Sequence, residues 1–240
     1  MNSTAPKIGF DRFIALDWAA TALKIRANMA SMEELAQMLD QAGLSLPARK
    51  KIMTVLNRLW LAPRADLSEF AQRGVDLFQA DPTLPLPALC WGMAIASYPF
   101  FGKVAEIIGR LSALQGDCAA GEVHRRMSEI YGEREGTYRM TNMVLQSQVS
   151  WGVLARSENG RRLHRCTPVT LNQEAMLVWL IEAVLRYAGR ALSVPALPSM
   201  AVIFPFILNQ PLAYLLAKSP GMELQHQASN EQLVMLRRVL

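Results

Sequence analysis

Residues Asp117 to Leu171 read DCAAGEVHRRMSEIYGEREGTYRMTNMVLQSQVSWGVLARSENGRRLHRCTPVTL, and their reading decides the fold. Val123, Met127 and Ile130 recur at spacings of four and three, the pattern of one helix face. Asp117 is a candidate cap for that helix, and Tyr131-Gly132 ends it, because glycine accepts the left-handed conformation that stops helices. After Gly136, Thr137 is a candidate cap for a second helix, with Met140, Val144 and Trp151 on one side. Arg139, Asn142 and Gln146 fall together on another side, and Gly152 closes the helix. Val153–Arg156 and Arg162–Cys166 read as strands around Glu158-Asn159-Gly160, since an Asn-Gly pair suits a type I′ turn, whose two central residues both need positive φ. Helix, turn, helix and two-stranded wing is the order of a winged helix-turn-helix.

Charge selects a partner for this unit. Between Arg139 and Arg165 there are five arginines, Arg139, Arg156, Arg161, Arg162 and Arg165, against one acid, Glu158. That local balance of +4 is nearly the whole net charge of +5. A duplex suits it: the wing arginines neutralise phosphate, while Arg139, Asn142 and Gln146 offer groups able to bond base edges in the major groove. The plainer reading is a solvated basic hairpin on a winged helix that binds protein.

The remainder reads as helices. Residues 1–12 look like a mobile tail, and Phe13 to Ile25 is helical, with Trp18 as a core residue. Ser31 and Glu34 form a capping box, and the helix they open stops near Gly43. The next helix, PARKKIMTVLNRLW over 47–60, has an apolar side (Ile52, Val55, Leu56, Leu59, Trp60) and a basic one (Arg49, Lys50, Lys51, Arg58). From Gln41 to Ala65 five basic residues meet no acid, so Arg49, Lys50 and Lys51 are either a second phosphate-contacting surface or an ordinary solvated face. A short helix opens at Asp66–Glu69 and ends near Gly74; Asp76 to Pro87 is a connection. Leu86–Ala96 and Pro99–Leu114 are buried helices, the second leading into the winged unit. Glu174–Ala188 is helical, short helical pieces follow near Pro195–Met200 and Pro211–Lys218, and Met222–His226 and Leu233–Arg237 alternate as strands around Ala228-Ser229-Asn230. The chain is therefore mainly α: a helical N-terminal domain (1–98), a central winged helix-turn-helix with a β-hairpin wing (99–171), and a C-terminal helical, winged-helix-like domain (172–240) with a terminal β-hairpin.

Several classes are disfavoured. Pro82–Gly102 and Ala191–Ala217 carry no charge and are long enough to cross a bilayer, but each holds four prolines, which break a spanning helix. They read as buried connections, with no membrane span. No apolar run of signal-peptide length opens the sequence, and three scattered cysteines suit a reducing, cytoplasmic setting. His124, His164 and His226 match no zinc spacing, and no Gly-rich phosphate loop or carboxylate cluster appears. Neither metal, cofactor nor enzymatic activity is expected.

The layout of opening helix, short helix, basic helix 47–60, helical middle and winged unit ending in Trp151-Gly152-Val153-Leu154 resembles the BrxA family, small DNA-binding proteins of bacterial BREX phage-defence systems. The resemblance covers roughly Phe13 to Leu171 and departs from Asn172 onward. It implies a non-enzymatic accessory that binds double-stranded DNA without a cofactor and works beside other defence-system proteins. The alternatives are an adapter that docks through the apolar 195–215 region, and a transcription regulator of its own operon.

Overall fold

A computed structural model of the chain describes residues 8–226 and 232–237. The architecture is mainly helical, with small sheets. The first helix, α1 (Leu16–Arg26), is covered on most sides; Ala19, Ala20 and Ala22 let its neighbours approach closely. The Ser31–Glu34 capping box forms and opens α2 (Met32–Gln41). The basic helix α3 (Leu46–Leu56) runs into a π turn (Asn57–Leu61) that buries Leu59 and Trp60. Phe10 corrects the reading of residues 1–12 as a tail: it is fully buried, edge-on to Tyr98 with ring centroids 5.3 Å apart. The first seven residues lie outside the described ones.

Helix α4 (Ser68–Ala80) runs straight through Gly74, where the sequence predicts an end. That glycine is present for space: an added Cβ would lie 2.9 Å from Cζ2 of Trp179. Trp179 belongs to α9 (Glu174–Ala188), stacks on Phe70 at 4.6 Å and donates from Nε1 to the Phe70 carbonyl.

Helix α5 (Leu86–Ser97) is buried from Ala88 to Ser97, which explains why it carries no charge. Tyr98 adopts extended backbone, as a residue before proline prefers, and Pro99 starts α6 (Pro99–Gln115). Among the described residues no helix is long and apolar enough to cross a membrane. Trp91 of α5 sits at the centre. Its Nε1 donates to the Val202 carbonyl at 2.9 Å, and its ring meets Phe101, Trp151, Phe204 and Phe206 edge-on. Trp151 in turn donates to the Ile14 carbonyl, 2.9 Å away. One continuous core runs from Phe10 to Val234 through all three predicted segments.

After α6 the chain continues as β1 (Asp117–Ala119), α7 (Ala120–Tyr131), α8 (Glu135–Ser150), β2 (Leu154–Ser157) and β3 (Arg162–Arg165). The sheet order is β1-β3-β2, antiparallel throughout, with Asp117 opposite His164 and His164 opposite Ala155. A parallel pair follows, β4 (Val169–Leu171) with β6 (Phe206–Leu208). The C-terminal segment repeats the connectivity: α9, β5 (Leu192–Ser193), two 3-10 turns (Val194–Ser199 and Ala201–Ile203), then α10 (Leu212–Lys218), β7 (Met222–His226) and β8 (Gln232–Leu236). Its sheet order, β5-β8-β7, again places the last strand between the first and the second. The turn expected at Ala228-Ser229-Asn230 lies outside the described residues.

In the apolar 195–215 region Val202, Ile203, Phe204 and Phe206 are buried in the core, while Ile207 and Tyr214 are exposed. The fit of this region is tight at Gly109 of α6, where a Cβ would stand 2.0 Å from the Ala201 carbonyl oxygen. Gly109→Ala should therefore cost about 3 kcal/mol, the upper part of the usual range for overpacking a core, because the obstacle is backbone and cannot turn aside. Gly121→Ala, in open space on α7, should be neutral or slightly stabilising. Urea denaturation of both variants measures the contrast.

Candidate nucleic-acid interface

Helix α8 presents one face to the core and one to solvent. Met140, Val144 and Leu145 are buried, and so is Trp151, its C-terminal cap. Glu135, Tyr138 and Arg139 are exposed, and Asn142 and Gln146 are half-buried between them. Spacings of three and four put these five on one side, the arrangement that the sequence predicts for Arg139, Asn142 and Gln146. Gly132, at φ 87°, turns the chain from α7 into α8.

Both predicted caps are corrected. Thr137 is fully buried inside α8, and the helix is entered at Arg134, whose side chain makes no cap bond. A threonine next to glycine imitates a helix start, but the extended backbone that defines one falls three residues earlier. Asp117 lies in β1 and its carboxylate is paired with Arg162: Nε donates to Oδ2 at 2.8 Å and Nη2 donates to Oδ1. This partner holds the Asp117 carboxyl below the usual carboxylate range.

The turn between β2 and β3 forms as expected, with Asn159 at φ 56° and Gly160 at φ 85°. Alternation along the strands divides the sheet into two faces. Cys118, Leu154 and Leu163 face the core. Asp117, Ala155, Ser157, Arg162 and His164 share the other face. There His164 Nε2 meets the Ser157 hydroxyl at 2.5 Å, and its Nδ1 stands 3.7 Å from Asp117 Oδ2. The order of groups imitates a hydrolytic triad. The Asp117 gap exceeds hydrogen-bond length, and Arg162 takes both carboxylate oxygens, so the trio ties three strands together.

The arginines of the β2–β3 hairpin differ in what they touch. Arg165 donates to the Gly109 carbonyl (2.6 Å) and to the Ser112 hydroxyl, with its guanidinium 5.0 Å from the Phe204 ring. Arg162 is bound to Asp117, and Arg156 donates from Nη2 to Asn142 Oδ1 at 3.0 Å. Arg161 alone of the four is exposed and has no protein partner among the described residues. Arg139 is likewise exposed and unpartnered, and so is Arg134, which the sequence reading did not single out. The signal for Arg134 was its place in the turn between two helices, where side chains point outward.

Tyr138 was also missed, although Tyr138, Asn142 and Gln146 form a stripe at intervals of four. Its ring is 59% exposed and stacks on His124 at 4.0 Å. Of the second basic group, Arg49 is paired with Asp40 and donates to the Leu44 carbonyl, bracing the turn between α2 and α3. Lys50 and Lys51 are exposed, on a helix whose main contacts are with α1 and the π turn.

No group of three or more His, Cys, Asp or Glu that could hold a metal occurs among the described residues. Burial pushes the Cys90 thiol up to about 12 and Cys118 up to about 11, so both stay protonated at neutral pH.

Burial first, and the Arg156 charge second, hold His124 below the ordinary histidine range. The unfolded chain takes up this proton near pH 6.5, before the folded protein does. The stability contributed by neutral His124 is therefore complete above about pH 6.5 and falls as pH drops toward the folded value. Urea midpoints should decline more steeply between about pH 7 and pH 5 in the wild type than in His124→Phe, which keeps a ring beneath Tyr138. Equal slopes would contradict this assignment. Compared with protein-family models, curated proteins and solved structures, the chain matches none.

Proposed function

We propose that residues 99–171 form a winged helix-turn-helix that binds double-stranded DNA through α8 and the wing turn. The carrying observation is the outward face of α8, where Tyr138, Arg139, Asn142 and Gln146 stand together, with Arg134 at the start of the helix and Arg161 after the β2–β3 turn, both exposed and without a side-chain partner among the described residues. The element order from α6 to β3 and the strand order β1-β3-β2 support the winged-helix reading. The same order in α9 to β8 supports a second, reduced winged helix. Its α10 is short and apolar, which leaves DNA contact to the first unit. The wider role, an accessory protein of a BREX-like phage-defence system acting in the cytoplasm, rests on the resemblance in layout alone.

In this interface Arg134, Arg139 and Arg161 neutralise phosphate, and Asn142, Gln146 and Tyr138 face the groove. Arg162 and Arg165 serve the fold, and Arg156 is bonded to Asn142. Three phosphate contacts give a slope of log K against log salt of about −3, since each contributes about −0.9. Fluorescence anisotropy with a labelled duplex over a salt series is the direct test. The variant Arg134→Ala/Arg139→Ala/Arg161→Ala should bring the slope near zero while keeping the wild-type melting temperature. Arg162→Ala should lower the melting temperature and leave the slope unchanged. A wild-type slope of zero, or a triple variant that binds as the wild type does, would overturn the DNA reading.

A further inference from the structure

Asn142 lies in the middle of the outward face of α8, and its amide can be turned only one way. Arg156 Nη2 points at it from β2, 3.0 Å away. A guanidinium carries five N–H donors and no acceptor, so the amide oxygen must face Arg156, and Nδ2 must face away from it. Arg156 itself is confined. It is half-buried, desolvation lowers its pKa, and its Nε is buried without a partner. Its Nη1 lies under the wing turn, 3.6 Å from where a Cβ on Gly160 would stand. Phe13, Gln146, Val149 and Ser150 share the shallow depression around it. The side chain therefore reaches from beside the turn at Gly160 to α8, where its Nη2 bond to Asn142 holds it.

We infer that Arg156 is a positioning residue that holds Asn142 as a hydrogen-bond donor toward the groove, so that this position selects base acceptors. The inference rests on the DNA-binding reading above. An asparagine that reads adenine normally uses its amide oxygen for N6–H and its amide nitrogen for N7. Here the oxygen is turned onto Arg156, so what the amide offers a base is the Nδ2 donor. Guanine presents the acceptors N7 and O6, thymine O4 and adenine N7, each of which takes an N–H donor without disturbing Arg156. Asn142 thus discriminates against cytosine, which presents only its N4 amino donor in the major groove, and favours guanine, whose two acceptors stand side by side. The counterpart follows from the same geometry. An aspartate at this position would keep one oxygen on Arg156 and turn the other outward as an acceptor, which inverts the preference.

The experiment is selection of bound duplexes from a randomised pool, sequenced for the wild type, Asn142→Asp, Arg156→Lys and Arg156→Ala, with melting curves to check folding. In the wild type one position should be enriched in guanine and depleted of cytosine. In Asn142→Asp that position should switch to cytosine, by about tenfold or more, the scale of a good base-edge contact. Arg156→Lys, which keeps a donor, should retain the wild-type preference. Arg156→Ala frees the amide to turn and should weaken the exclusion of cytosine; if that variant fails to fold, the lysine and aspartate variants carry the test. Cytosine selected by the wild type at the position that responds to Asn142, unchanged selectivity in Asn142→Asp, or binding with no base preference each overturns this inference alone. No recovery of any duplex by the wild type overturns it together with the DNA reading.

Discussion

The structure depends on the surroundings of Trp91. This indole is fully buried on α5, and its N–H is satisfied by the Val202 carbonyl. A buried indole donor without a partner would cost roughly 1–3 kcal/mol, so the position of the C-terminal segment is coupled to the central helix by one directed bond. Around the same ring stand Phe101 of α6, Trp151 after α8, and Phe204 and Phe206 near the C-terminus. Trp151 extends the chain of contacts to the Ile14 carbonyl. Edge-to-face geometry is specific, so these elements can be brought together in few ways. The two charge-free stretches that imitate membrane spans supply this centre, which is why both are apolar and interrupted by proline.

The core in turn constrains the interface. Trp151 anchors the C-terminal end of α8, and the Ser147 and Ser150 hydroxyls accept from the backbone of Ile14 and Leu16. The inner side of α8 is thereby closed, and its free side is the stripe from Glu135 to Gln146. Arg165 fastens the hairpin to α6 and Phe204, and Arg162 fastens it to β1. Part of the positive charge concentrated on the wing therefore acts within the protein. A charged group with carboxylate or carbonyl partners at hydrogen-bond distance is committed before any ligand arrives, and the charge left free at this surface is smaller than a count of arginines suggests.

The repeated strand order adds a second layer. Both three-stranded sheets insert their last strand between the first and the middle one, and each follows a long helix, α6 or α9. The helix that precedes the hairpin differs. In the first copy α8 has 16 residues and a polar outer side; in the second α10 has 7 residues and buries Leu212, Leu215 and Leu216. One supersecondary plan thus serves two ends, a surface helix in the first and a closing piece of the core in the second.

The amino-acid sequence by itself determined the elements with local causes. The Ser31–Glu34 capping box, the proline-started helices α3 and α6, the apolar helix α9 and the Asn159-Gly160 turn all form at or near their predicted places, since caps, proline φ and positive-φ turns act over three or four residues. Helix periodicity likewise brought Arg139, Asn142 and Gln146 to one face. Only the tertiary structure decided what depends on a partner distant in the chain. Gly74 looked like a helix end until Trp179 came to occupy the space above it, and Phe10 looked like part of a tail until Tyr98 packed against it. Asp117 looked like a cap until Arg162 faced it across the sheet, and the bond from Arg156 to Asn142 joins residues that no local pattern pairs. A periodic pattern records which side of an element is apolar; it does not record which groups the fold brings within 3 Å of one another, and at that distance hydrogen bonding and desolvation decide what a side chain is free to do.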